Sequence, residues 1–166
     1  VKSIDDTVIR DNAVVANGNG LYVFNSLDNT IAGNTVMAND LGVYLAAGSV
    51  REDVHGNDFV NNRQPVSAVI GEQVAWNGSG SGNYWSGAST VDVDRDGISE
   101  VRYKPAGLVE QLVAREPTAK VFASSPAFGT IRLAESSLPV VEAPGVVDHH
   151  PLTAPNSSDW REYYGG

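Results

Sequence analysis

Cysteine is absent from this chain, so disulfides, thiolate metal sites and cysteine nucleophiles are all excluded. Basic side chains are scarce: 11 Lys and Arg stand against 20 Asp and Glu, for a formal net charge of −9. Such a surface repels nucleic acid and anionic membrane surfaces rather than attracting them. No run of about eighteen apolar residues occurs, which excludes a membrane-spanning helix. The first residues do not form a secretory signal. What is present, 166 residues of which 42% are hydrophobic, suffices for one sizeable core.

The core has a repeat. Ile9, Asn12, Val14, Asn17, Leu21 and Val23 recur 22 residues on as Ile31, Asn34, Val36, Asn39, Val43 and Leu45. They recur again 23 residues on as Val54, Asn57, Phe59, Asn62, Val66 and Ala68. A period in the low twenties with several short β-rich runs is the pattern of a stacked solenoid coil. Aliphatic residues flank Tyr22 and Tyr44, so alternation turns Leu21, Val23, Val43 and Leu45 inward and the tyrosines outward. The asparagines would stack at bends, where the residue tolerates left-handed backbone and its amide can bond along the stack.

A 22-residue coil is too short to contain a helical crossover, which by itself needs a dozen or more residues. The chain is therefore expected to be all-β, a right-handed parallel β-helix in which each strand pairs with its equivalent one coil away. On this register Val1 aligns with Val23, the last strand of an incomplete coil, so the expectation is the C-terminal part of a longer β-helix. Coils and cap are assigned to residues 1–87, an acidic loop to 88–104 and a proline-rich extension to 105–166.

Beyond residue 69 the repeat fades. Val74 to Asn77 read as the start of a fourth coil matching Ile9 to Asn12, followed by a flexible glycine and serine run, Gly78 to Gly82. Trp76 and Trp85 bracket that run and suit a cap over the open core, with a sugar-stacking platform as the alternative. In the extension, Ser124 to Leu138 is helix-compatible. Residues 139–155, with four prolines and a His149–His150 pair, read as a partner-docking strap.

Two metal chemistries are offered. Asp92, Asp94 and Asp96, followed by Gly97 and Glu100, resemble the first half of a calcium loop, in which alternate hard oxygens converge and glycine permits the turn. Position twelve of such a loop would be Tyr103, which brings no carboxylate, and a solvated acidic turn is the alternative. Copper draws on His, Met and Cys. The candidates are His149 and His150, which could reach one ion, and Met37, which alternation turns outward and leaves accessible. His55 follows inward Val54 and reads as a surface side chain.

The asparagine-marked coils, Gly82-Asn83-Tyr84-Trp85-Ser86-Gly87, Asp92 to Glu100 leading into Val101-Arg102-Tyr103-Lys104-Pro105, Ser125-Pro126-Ala127, Leu138-Pro139-Val140-Val141, Pro144 to Asp148 and Pro151-Leu152 resemble the NosD family of periplasmic copper-binding proteins. The resemblance implies a non-enzymatic periplasmic accessory, partnered by an inner-membrane ABC transporter and by nitrous oxide reductase, whose copper centres it helps to assemble. Copper would then be its cofactor or cargo.

An enzyme of polysaccharides is the competing reading, because parallel β-helices often carry acid and base side chains along one outer face. Here the outward positions Tyr22, Tyr44 and Ser67 are not catalytic material. A purely structural or adhesive solenoid is the third reading.

Overall fold

The computed structural model describes residues 1–68, 74–105, 125–126, 129–130 and 146–157. Three coils follow one another, each of three short strands. The first holds β1 (Val8–Arg10), β2 (Ala13–Val15) and β3 (Asn19–Val23). The second holds β4 (Thr30–Ala32), β5 (Thr35–Met37) and β6 (Leu41–Leu45), and the third β7 (Asp53–His55), β8 (Asp58–Val60) and β9 (Gln64–Ala68). Equivalent strands pair in parallel into three sheets, β1-β4-β7, β2-β5-β8 and β3-β6-β9, and β10 (Tyr84–Trp85) extends the second beyond β8. This is a parallel β-helix, and no described helix is long and apolar enough to cross a membrane.

Register follows the repeat residue for residue. Leu21, Val43 and Val66 form one column, and Val23, Leu45 and Ala68 the next. Ile31, Val36, Val43 and Val54 have no exposure at all, whereas Ile9 and Leu21 on the first coil are only partly buried. Each fully buried aliphatic contributes about 1.5–3 kcal/mol relative to exposure, so the second and third coils carry more apolar stabilisation than the partly open first.

The bends are held by side-chain ladders. Asn12, Asn34 and Asn57 each donate a backbone N–H and a side-chain amide N–H to the Oδ1 of the next asparagine, at 2.9–3.1 Å. The acceptors are Asn34, Asn57 and Asn83 in turn. A second ladder runs Asn17, Asn39, Asn62 in the same way. Each net bond is worth about 1 kcal/mol, and each satisfies a backbone group that a tight bend would otherwise orphan.

Past the third coil the structure corrects the expected alignment. Asp53 bridges Ala75, which sets Trp76 beside Val54, and Asn83 rather than Asn77 continues the ladder. Residues 77–81 therefore bulge out where His55 alone stands in the coil below. Within this bulge Gly78–Gly80 form a 3-10 turn instead of a flexible run. Phe59, Trp85 and Tyr103 stack with ring centroids 4.4 and 4.3 Å apart, and Trp76 leans on Trp85 at 6.0 Å, closing the core. The tryptophans are thus buried cap side chains and offer no sugar platform.

Residues 139–145 and nearly all of 124–138 lie outside the described residues. Residues 146–157 pack back on the chain's own end: Val146 joins the core, Tyr103 pairs with Asp148, and Leu152 bridges both Tyr84 and Ile98.

Candidate functional site

The acidic loop is shaped by its own backbone. Arg95 and Gly97 both take left-handed φ, 65° and 87°, and the loop's carboxylates accept the N–H groups that this turn frees. Asp92 accepts from Arg95 at 2.6 Å and Gly97 at 3.1 Å, and Asp96 from Ile98 at 2.8 Å. Glu100 accepts from Val93 through both oxygens, at 3.1 and 3.2 Å. One oxygen each of Asp92, Asp94 and Glu100 lies within 4.8 Å of the others. Asp96 is not in this group, so the position-nine glutamate, rather than the third aspartate, completes the triangle. Three converging carboxylates repel one another, and hard oxygens of this kind suit calcium. The loop is fastened below by Glu100 N–H to Val91 C=O and by Ser99 N–H to Pro151 C=O, at 2.9 and 2.8 Å.

The copper candidates are dispersed. Met37 does face outward, since Val36 beside it belongs to the core, but it is fully buried, as is Val60 on the next coil. The outer face of the second sheet is covered at this point, and the expected accessibility of the thioether is overturned. His149 and His150 are exposed, and His150 places Nδ1 3.1 Å from the Asn77 amide nitrogen. Among the described residues, the structure gathers neither of them with two further ligating side chains.

His55 lies on the outer face of the coils, as its sequence position suggested. It is half-buried at the end of β7, and its Nδ1 meets Asp53 Oδ1 at 2.9 Å. Asp53 is itself wedged against Gly78, where an added Cβ would stand 2.1 Å from Oδ1. Only glycine there lets the bulge close over the pair. A carboxylate behind a histidine is the arrangement that fixes a metal-ligating ring and raises its basicity. Imidazole with oxygen donors is a donor set that copper accepts.

Two carboxylates that sequence reasoning passed over do most to hold the closing end. Asp148 is fully buried and accepts from Asn83 N at 2.7 Å and from Trp85 Nε1 at 2.9 Å. It ends the first asparagine ladder, whose donors all point toward it; a group that accepts without donating is what a terminal position requires. Its charge, after burial itself, pushes the Tyr103 hydroxyl up to about 12. Asp58 accepts the N–H groups of Asn156 and Ser157, both at 2.9 Å, and burial raises its carboxyl. Nothing periodic marks Asp148. Asp58 stands in the Ala13–Thr35 column, where a charge on a covered face was the one available signal.

Residues 1–90 match the family model described as periplasmic copper-binding protein (NosD). Two curated relatives are both named probable ABC transporter binding protein NosD. That from Pseudomonas aeruginosa is 39% identical over 82% of this chain and 32% of its own length. That from Stutzerimonas stutzeri is 37% identical over 81% of this chain and 31% of its own. The chain thus spans about a third of the length of these relatives.

Proposed function

This chain belongs to the NosD family of periplasmic copper-binding proteins, and we propose that it serves as a non-enzymatic accessory in assembling the copper centres of nitrous oxide reductase, beside an inner-membrane ABC transporter. The observation that carries the reading is the identity to proteins named for ABC transporter binding. It extends over 137 and 135 residues, more than the matched coils contain, and so takes in part of the closing end. The outer face of the third sheet agrees with binding rather than catalysis: its stacked outward residues are Tyr22, Tyr44 and Ser67, without an acid or a base among them.

In this reading residues 1–87 supply coils and cap, 88–104 the acidic loop and 105–166 the extension. The convergence of Asp92, Asp94 and Glu100 supports a calcium clasp that stiffens the loop, with copper handled elsewhere. Co-purification of the full-length protein with the transporter from the same organism tests the proposal. Retention of the transporter is expected, and its absence from a folded, correctly exported protein would overturn it.

A further inference from the structure

Among the described residues, large hydrophobic side chains are exposed in two places: on the first coil and the turn after it, at Val1, Val8, Tyr22 and Leu27, and on the acidic loop, at Val91, Val93 and Val101. The loop valines follow from the turn itself. Each adjoins a carboxylate of the triangle in sequence, Val91 and Val93 flanking Asp92, Val93 preceding Asp94 and Val101 following Glu100. Neighbouring side chains leave an extended backbone on opposite faces, so the turn that gathers the carboxylates sends the valines outward. Val93 is 76% exposed, Val91 50% and Val101 43%. The backbone keeps them together, because the Glu100 N–H donates to Val91 C=O and the Glu100 carboxylate accepts the Val93 N–H.

The same loop carries the unpaired cations. In the coils every arginine has a carboxylate within ion-pair distance: Arg10 has Asp11, Arg51 has Asp28 and Arg63 has Asp40. Arg95, Arg102 and Lys104 are exposed and have none among the described residues. The loop's own carboxylates do not serve them, since Asp92, Asp96 and Glu100 are taken up by backbone N–H groups. Exposed valines fringed by unpaired cations match a protein surface that is apolar with an acidic fringe. We propose that this valine and cation face docks such a surface on the periplasmic side of the ABC transporter; the inference rests on the transporter reading given above. On a chain of net charge −9 an acidic partner is repelled elsewhere and admitted here, which fixes its orientation. The span of the likeness points the same way. Any stretch of 135 residues in a chain of 166 includes residues 91–104, so the identity to the two proteins named for transporter binding takes in this loop, whereas the match to the copper-binding family model ends at residue 90.

The full-length protein is bound to the detergent-solubilised transporter of the same organism, and association and dissociation rates are followed by surface plasmon resonance at low and high salt. The paired Val91→Ser, Val93→Ser variant changes only exposed side chains, so it should keep the circular dichroism of the parent. It should weaken binding about tenfold, chiefly through faster dissociation. The paired Arg102→Glu, Lys104→Glu variant should weaken it by about the same factor through slower association, and should remove most of the salt dependence. Parent affinity in either folded paired variant would overturn the docking face while leaving the transporter reading intact. A parent protein that does not bind the transporter would overturn both. Vesicles of phosphatidylethanolamine and phosphatidylglycerol test for a lipid occupant: binding of the parent to them, lost in the valine variant, would overturn the proposal in favour of the membrane surface.

Discussion

The coils and the closing end use the same hydrogen-bond chemistry over different distances along the chain. Between coils, an asparagine amide receives the backbone and side-chain N–H groups of an asparagine 22 or 23 residues earlier. At the closing end a carboxylate replaces the amide, and the partners stand far apart: 65 residues for Asn83 and Asp148, 98 for Asn156 and Asp58. An amide can be followed by another amide indefinitely, because it accepts on one side and donates on the other. A carboxylate accepts only, so it stops the series. Asp148 is therefore a terminator, and the aromatic stack beside it shields the core that the last coil leaves open.

The largest effect should come from a charge in the repeated part. Val43→Asp buries an unpaired carboxylate among Leu21, Val66 and their neighbours, at a cost on the order of 4 kcal/mol. The cooperative thermal transition should disappear, and a soluble variant melting with the parent would break the register.

Asp148→Ala should come next. It orphans Asn83 N and Trp85 Nε1, both buried, at about 3 kcal/mol. Here the comparison sharpens, because the loss is local. Hydrogen exchange should quicken at Asn83, Tyr103 and Leu152 while Thr35 and Val43 stay protected. Equal loss of protection in both regions would mean that coils and end are one cooperative unit.

Calcium should act on the closing end alone. At ten times its Kd it would add about 1.4 kcal/mol, seen as a rise in Tm that Asp94→Ala abolishes. Identical melting of both proteins with calcium and with chelator would leave the loop a solvated acidic turn.

The smallest effect concerns Glu52, which takes the ladder position after Asn29 and accepts from its amide at 3.1 Å. Its other oxygen, Oε2, is buried without a partner, and burial raises the carboxyl above its ordinary value. A group raised in the folded state binds its proton more tightly there than in the unfolded chain. Stability should therefore rise as pH falls from neutrality through the raised value toward the ordinary carboxylate range. Glu52→Gln should lift Tm at pH 7 by less than about 1 kcal/mol equivalent and flatten this slope. Asp58, raised in the same sense, keeps part of the slope. An unchanged slope would show that Glu52 is not the group responsible.

The repeat made the coils legible because each coil solves the same packing problem with the same residues: Leu21, Val43 and Val66 had to share a column once the period was seen. The cap was legible as a pair of tryptophans but misaligned, since residues 77–81 insert a bulge and Asn77 imitates the ladder residue that is in fact Asn83. Asp92, Asp94 and Glu100 were legible as a local motif, being close in sequence. Met37 was misjudged because alternation gives the face of a strand and not what lies upon it. The contact of His55 with Asp53 was not foreseen, because the glycine that seats the carboxylate signifies nothing until the bulge is placed above it. Asp148 and Asp58 gave no advance sign of their partners, because contacts across 65 and 98 residues leave no trace in spacing.

The accessory role is tested most directly by the copper content of nitrous oxide reductase purified from cells that lack this protein, compared with cells in which the full-length protein is restored. The account predicts reductase polypeptide in both, with its copper missing in the first and regained in the second. Fully loaded reductase from the deficient cells would contradict it.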